Sequence, residues 1–117
     1  MDRRFNVLFL GQAIDFLDGL DLKARKKIYY NINKAAFGLD PKLFKKLTDE
    51  VWEFRTKYRG VQYQLFAFWD TTEAANTLVI STHGIIKKTA KISKAEMEKV
   101  KQLRSEYFIQ RKINFNQ

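Results

Sequence analysis

The hydrophobic pattern changes period partway along this chain, and that change limits the folds open to it. From residue 51 onward, apolar and aromatic side chains alternate or run through three short segments, residues 51–58, 61–69 and 76–83. A period of two belongs to an extended strand, whose successive side chains point to opposite faces. In the first segment Trp52, Phe54, Thr56 and Tyr58 fall on one face, and Val51, Glu53, Arg55 and Lys57 on the other. Arg59-Gly60 is a two-residue break suited to a hairpin turn, and residues 70–75 make a second connection. Three strands joined this closely predict an antiparallel meander.

The N-terminal third reads differently. Residues 5–10 (FNVLFL) form a β-prone run, short enough for a strand buried on both faces. Ala13, Phe16, Leu17 and Leu20 then follow at i, i+3, i+4 and i+7, which is one face of a helix. Asp21 can cap a second helix with Leu22, Ile28, Ile32 and Ala35 or Ala36 inward and Lys23, Arg25, Lys26, Lys27 and Lys34 outward. The short connection predicts an antiparallel helix hairpin. Asp40-Pro41 marks a turn or a new helical start. Ser93 with Glu96 makes a capping box for a last helix, whose inward stripe is Met97, Val100, Leu103 and Tyr107.

The expected fold is therefore α+β. It has a small antiparallel-dominated sheet, built of the N-terminal strand and the three-strand meander, with an N-terminal helix hairpin and a C-terminal helix. A chain of 117 residues is expected to form one domain, 1–117.

Charge narrows the function. There are 22 Lys+Arg against 13 Asp+Glu, a net charge of +9. That much self-repulsion in a small domain calls for a polyanionic or acidic partner, with nucleic acid first, an acidic protein second and an anionic membrane surface third. Residues 85–112 carry nine bases and three acids, so most of the excess follows the last strand. Lys87, Lys88 and Lys91 lie there with no acid among them, and their ammonium groups can surround a phosphate. Arg55 and Lys57 share a strand face and Arg59 follows at the turn, a second basic stripe in which a guanidinium can hold a phosphate bidentately. Glu53 stands in the same row and can pair with Arg55 or Lys57 instead. Tyr63 is open between core and base-stacking platform. His83 is open between a structural role and proton donation to a leaving group.

Several chemistries are set aside. There are no cysteines and one histidine, so disulfides, thiolate nucleophiles and a histidine-based metal site are not expected, and neither is a cofactor. No glycine-rich phosphate loop appears, and no serine has the neighbours of an activated nucleophile. No stretch approaches the roughly 18 apolar residues of a membrane span. No signal peptide is read at the N-terminus, and a cytoplasmic setting is expected.

The segment from residue 44 to 91 carries three recognisable pieces. These are Leu-x-x-x-Val-Trp-Glu-Phe-Arg-x-x-Tyr-Arg-Gly (47–60), Val-Gln-Tyr-Gln-Leu-Phe-Ala-Phe (61–68) and His-Gly-Ile-Ile-Lys-Lys-Thr-Ala-Lys (83–91). In them the chain resembles the RelE/ParE toxin superfamily, most closely its phage-derived HigB-like branch, and the flanking helices agree in order with that fold. The resemblance implies the toxin of a type II toxin-antitoxin system, a ribosome-dependent mRNA endonuclease that inhibits translation without a metal. Its partners would be the ribosome, mRNA and a cognate helix-turn-helix antitoxin of the HigA-like kind. By matched position, Arg55, Lys87 and Lys88 are implied to be catalytic. Lys57, Arg59, Tyr63, Gln64, His83 and Lys91 are expected to contact RNA.

Cleavage of RNA by its own 2′-OH requires one proton removed, one donated and the equatorial phosphate charge neutralised, and the cations can supply the last. Gln64 departs from the branch pattern by standing where an arginine is usual. Either Lys57 or Arg59 replaces that cation, or activity is weak or lost. Two alternatives follow: a non-enzymatic ParE-type inhibitor of DNA gyrase, and a weakened member that only binds antitoxin or nucleic acid.

Overall fold

The computed structural model describes residues 2–38, 40–72, 77–89 and 91–115. The element order is β1 (Asn6–Phe9), α1 (Gly11–Asp18), α2 (Leu22–Phe37), β2 (Phe44–Lys46), β3 (Trp52–Tyr58), β4 (Val61–Asp70), β5 (Leu78–Lys87) and α3 (Lys94–Phe115). The architecture is α+β, with one five-stranded sheet in the order β1-β5-β4-β3-β2. β2 to β5 pair antiparallel, and β1 adds to β5 in parallel.

Three expectations need correction. The strand β2 was not anticipated; it holds three residues, and its pairing with Trp52–Phe54 rather than its own pattern makes it a strand. β1 lies at the sheet edge and is not buried on both faces: Phe5 beside it is buried, but Leu8 is 44% exposed. Leu22 is exposed, because it lies about half a turn off the buried stripe of Ala24, Ile28, Ile32 and Ala35. Residues 73–75 of the 70–75 connection and Asn76, read as the start of the third strand, lie outside the described residues, as does Ala90.

The two sheet faces are covered differently. The helix hairpin packs on the face that bears Phe54, Tyr63, Leu65, Ala67 and Val79. Asp21 caps α2 by accepting from the Ala24 amide at 2.9 Å. Asn31 donates to Thr56 Oγ1 at 3.2 Å, a buried bond between α2 and β3. α1 lies so close to β5 that a side chain on Gly84 would overlap the Phe16 ring, so the glycine is a condition of that packing. On the opposite face, α3 covers Val51, Phe66, Phe68 and Ile80 with Val100, Met97, Tyr107 and Phe108. At the β3–β4 hairpin end, Lys57, Arg59 and Gly60 are exposed.

Arg59 (φ 50°) and Gly60 (φ 77°) are both left-handed, as the tight β3–β4 turn requires. Such a conformation is unusual for arginine, and it sets the Arg59 guanidinium over the Tyr58 ring at 5.3 Å.

α3 is tied down at both ends. Near its start, Ser93 Oγ accepts from the Glu96 amide at 3.2 Å. The Glu96 carboxylate does not complete the capping box; it accepts from His83 Nε2 at 2.8 Å. Toward its end, buried Asp70 accepts from the Tyr107 hydroxyl at 2.5 Å and the Thr72 hydroxyl at 2.6 Å, with Arg111 Nε at 3.4 Å.

Candidate nucleic-acid interface

The register of the meander builds a basic face row by row. Cross-strand partners share a face. Lys57, Gln62 and Lys87 form one row. Arg55, Gln64 and Ile85 form the next, and Lys45, Glu53 and Phe66 the third. All three rows lie on the side that carries α3; Phe66 in the third lies under the helix and Lys57 in the first is exposed. Arg55, Lys57 and Lys87 are thus brought to one surface by strand pairing alone.

The sequence pattern puts Lys87 after the last strand. It belongs to β5, which runs to Lys87, so its Cα is fixed opposite Gln62. Lys88 and Lys91 are exposed in the connection that leads to α3, where Thr89 Oγ1 donates to the Lys91 carbonyl at 3.0 Å. Arg59 is exposed at the hairpin tip beside the same row end.

Beneath these cations sits Glu53, 2% exposed. Its Oε1 lies 3.6 Å from Arg55 Nε. Its Oε2 has no hydrogen-bond partner among the described residues. Burial pushes the Glu53 carboxyl above its ordinary range, against the pull of Arg55, Lys87 and Lys45. Cations from β2, β3 and β5 therefore surround one carboxyl group. Lys45 escaped the sequence reading because only the unforeseen β2 brings it into the row; the buried Glu53 among lysines is the signal that finds it.

Three expected RNA contacts are buried. Tyr63 lies on the opposite face, 8% exposed within the helix-side core, because it follows the parity of Phe54 and Leu65. Gln64 is on the basic face but 1% exposed, and both polar atoms of its amide lack partners. His83 is 3% exposed under α3 and stacks on Phe66 at 4.9 Å. Both its ring nitrogens are engaged: Nε2–H donates to Glu96, and Nδ1 accepts from the Thr82 hydroxyl at 3.0 Å. No ring nitrogen is left to face a leaving group.

Burial holds the His83 imidazole below its ordinary 6.5, outweighing the Glu96 carboxylate. The ring is then neutral at pH 7, and the stability it contributes is complete above the unfolded value and lost as pH falls through the native one. Urea unfolding between about pH 7.5 and 5 should show the wild-type midpoint falling more steeply than that of His83→Gln, since the variant has no ring to charge. Parallel slopes for the two proteins would refute the neutral latch.

Among the described residues no cluster of three or more His, Cys, Asp or Glu side chains could hold a metal ion, and no helix is long and apolar enough to cross a membrane. The polar groups in these rows are ammonium, guanidinium and amide groups and one buried carboxyl. A sheet with such a face, flanked by a helix hairpin and a long C-terminal helix, defines a small α+β domain with a basic surface. The model of the phage-derived protein Gp49-like family (DUF891) matches residues 15–105, and the chain belongs to that family. No curated protein matches the chain.

Proposed function

We propose that this chain is a ribosome-dependent mRNA endonuclease of the RelE/HigB type, the toxin of a type II toxin-antitoxin system. The observation that carries the reading is the convergence of Arg55 and Lys87 on one open sheet face, with Lys88 and Lys91 directly beyond it. The fold and the Gp49-like family support it.

The phosphate to be cut docks between β3 and the end of β5. The Arg55 fork holds two of its oxygens, and Lys87 and Lys88 neutralise the charge that develops in the pentacovalent transition state. The sugar 2′-OH of the substrate is the nucleophile, so no group of the protein need form a covalent bond. The ribosome orients the mRNA and so supplies part of the alignment such an in-line attack needs. The cognate antitoxin, a helix-turn-helix protein, restrains the toxin by covering these cations.

Expression without an antitoxin tests the reading. Growth and protein synthesis should stop, with mRNA cut inside codons. DNA-damage signalling with intact mRNA would favour gyrase inhibition, and unimpaired growth at confirmed expression would favour a member that only binds.

Binding should also be salt-sensitive. For a single-stranded RNA oligonucleotide, log K should fall with log salt at a slope of about −0.7 per neutralised phosphate. Arg55, Lys57 and Lys87 together predict a slope of about −2 or steeper. Salt-independent binding would remove this face from the interface.

A further inference from the structure

Glu53 is misplaced by the two criteria that account for its neighbours. Its carboxyl is almost fully buried, yet one oxygen has no partner and the other meets Arg55 Nε at 3.6 Å, longer than a hydrogen bond. A buried, half-partnered acid lowers stability. It is also the one acidic residue in the three cross-strand rows, where it weakens attraction for any polyanion. Its remaining effect is on Arg55, whose guanidinium is about one-third exposed and meets no other charged or hydrogen-bonding group among the described residues.

We propose that Glu53 is the positioning residue of this site. It draws the Nε edge of Arg55 toward the sheet and so turns the two terminal amino groups outward, as a fork for a phosphate of the RNA chain. Gln64, beside Arg55 in the register and buried with its amide unbonded, completes a polar floor that an apolar side chain would not give. Arg55, Lys87 and Lys45, from β3, β5 and β2, pull against the burial that raises this carboxyl and so favour its charged form. Affinity and rate thereby become separable: the carboxylate costs the face some attraction for RNA and fixes the geometry in which Arg55 meets the phosphate. The inference rests on the endonuclease reading for its chemical step, and on the sheet geometry for the rest.

The test is Glu53→Gln, which keeps the shape and removes the charge, with Glu53→Asp as the variant that keeps the charge on a shorter arm. Three measurements are made on the full chain: thermal unfolding, binding of a 12-nucleotide single-stranded RNA, and cutting of ribosome-bound mRNA. The Gln variant should unfold no earlier than wild type and bind the oligonucleotide several-fold more tightly. Its cutting should fall about 10²-fold, in kcat and not in KM, because a fork displaced by about 1 Å loses that much. The Asp variant should recover part of the rate.

Cutting at the wild-type rate by the Gln variant overturns the proposal. So does a joint loss of binding and cutting in a folded protein, which a purely structural role would produce. If wild type itself makes no cuts, the endonuclease reading fails separately. Glu53 is then judged by RNA affinity and by the Arg55 Nε–H resonance, and either one unchanged in the Gln variant overturns the proposal.

Discussion

Reversing two charges at the end of β5 is expected to abolish toxicity. The double substitution Lys87→Glu, Lys88→Glu should lower mRNA cutting by more than about 10³-fold, and Arg55→Ala alone by about 10²–10³-fold, the usual loss when one transition-state donor is removed. Lys88 is exposed and Lys87 partly so at the end of β5, and the nearest cost of the change is the loss of the Lys87 charge near Glu53, so the fold should remain. Thermal unfolding within a few degrees of wild type would verify that. The same change brings two carboxylates to the face that must receive a phosphate, so RNA binding should weaken and its salt slope flatten. Arg55→Ala should behave differently, with a smaller loss of affinity and a large loss of rate, because one guanidinium fork acts mainly on the transition state. Cells expressing the double variant at wild-type level should grow. Growth arrest that survives the charge reversal would remove the β5 end from the mechanism.

The second large effect is on stability. Asp70→Ala is expected to cost about 3–5 kcal/mol, the range for breaking a buried charged network from one side. Asp70 is 2% exposed and receives the Tyr107 hydroxyl, the Thr72 hydroxyl and the Thr72 amide, with Arg111 alongside. Removing the carboxylate takes the acceptor from the half-buried Tyr107 hydroxyl and one charge partner from Arg111, and frees the C-terminal half of α3 from the end of β4. In a domain of this size the loss corresponds to a fall in Tm of more than about 12 °C. Burial alone would raise the Asp70 carboxyl, but the bonds from Thr72 and Tyr107 and the Arg111 charge outweigh it and hold it below 3.8. Its contribution is therefore complete above that value and lost as pH falls through the native one. Tyr107 mirrors this: burial and its bond to Asp70 push its hydroxyl up to about 12. The part of the stability it supplies is lost only as pH rises through that value. A Tm within about 3 °C of wild type for Asp70→Ala would contradict the account of how α3 is held.

The parts of this fold that rest on local pattern were legible in the sequence. The alternation of residues 51–58 puts Arg55 and Lys57 on one side, and strand pairing keeps them there. Arg59-Gly60 occupies the turn, Asp21 caps α2, and Ser93 starts α3. What escaped depends on partners far away in sequence. Three residues at 44–46 become a strand only because β3 lies beside them. The β4 strand is apolar on both faces, so its own pattern does not say which side a helix covers, and the fate of Gln64 and His83 hangs on where α3 crosses. Tyr63 could be placed only through its parity with Phe54 and Leu65. Lys87 is a strand residue because β5 continues past residue 83 through Gly84, which admits Phe16. Of the site, the cations were readable as residue types in a pattern. The buried Glu53 beneath them was not, because its burial is a property of three strands together.

The central claim is that cations from β3 and from the end of β5 act together on one RNA phosphate. Purified ribosomes programmed with a defined mRNA, incubated with this chain and mapped by the 5′ ends produced, test it most directly. Wild type should yield ends inside the codon held in the decoding site and leave free mRNA uncut, and both Arg55→Ala and the Lys87/Lys88 reversal should erase those ends. Intact ribosome-bound mRNA with folded wild-type protein, or the same ends from either variant at the wild-type rate, would contradict it.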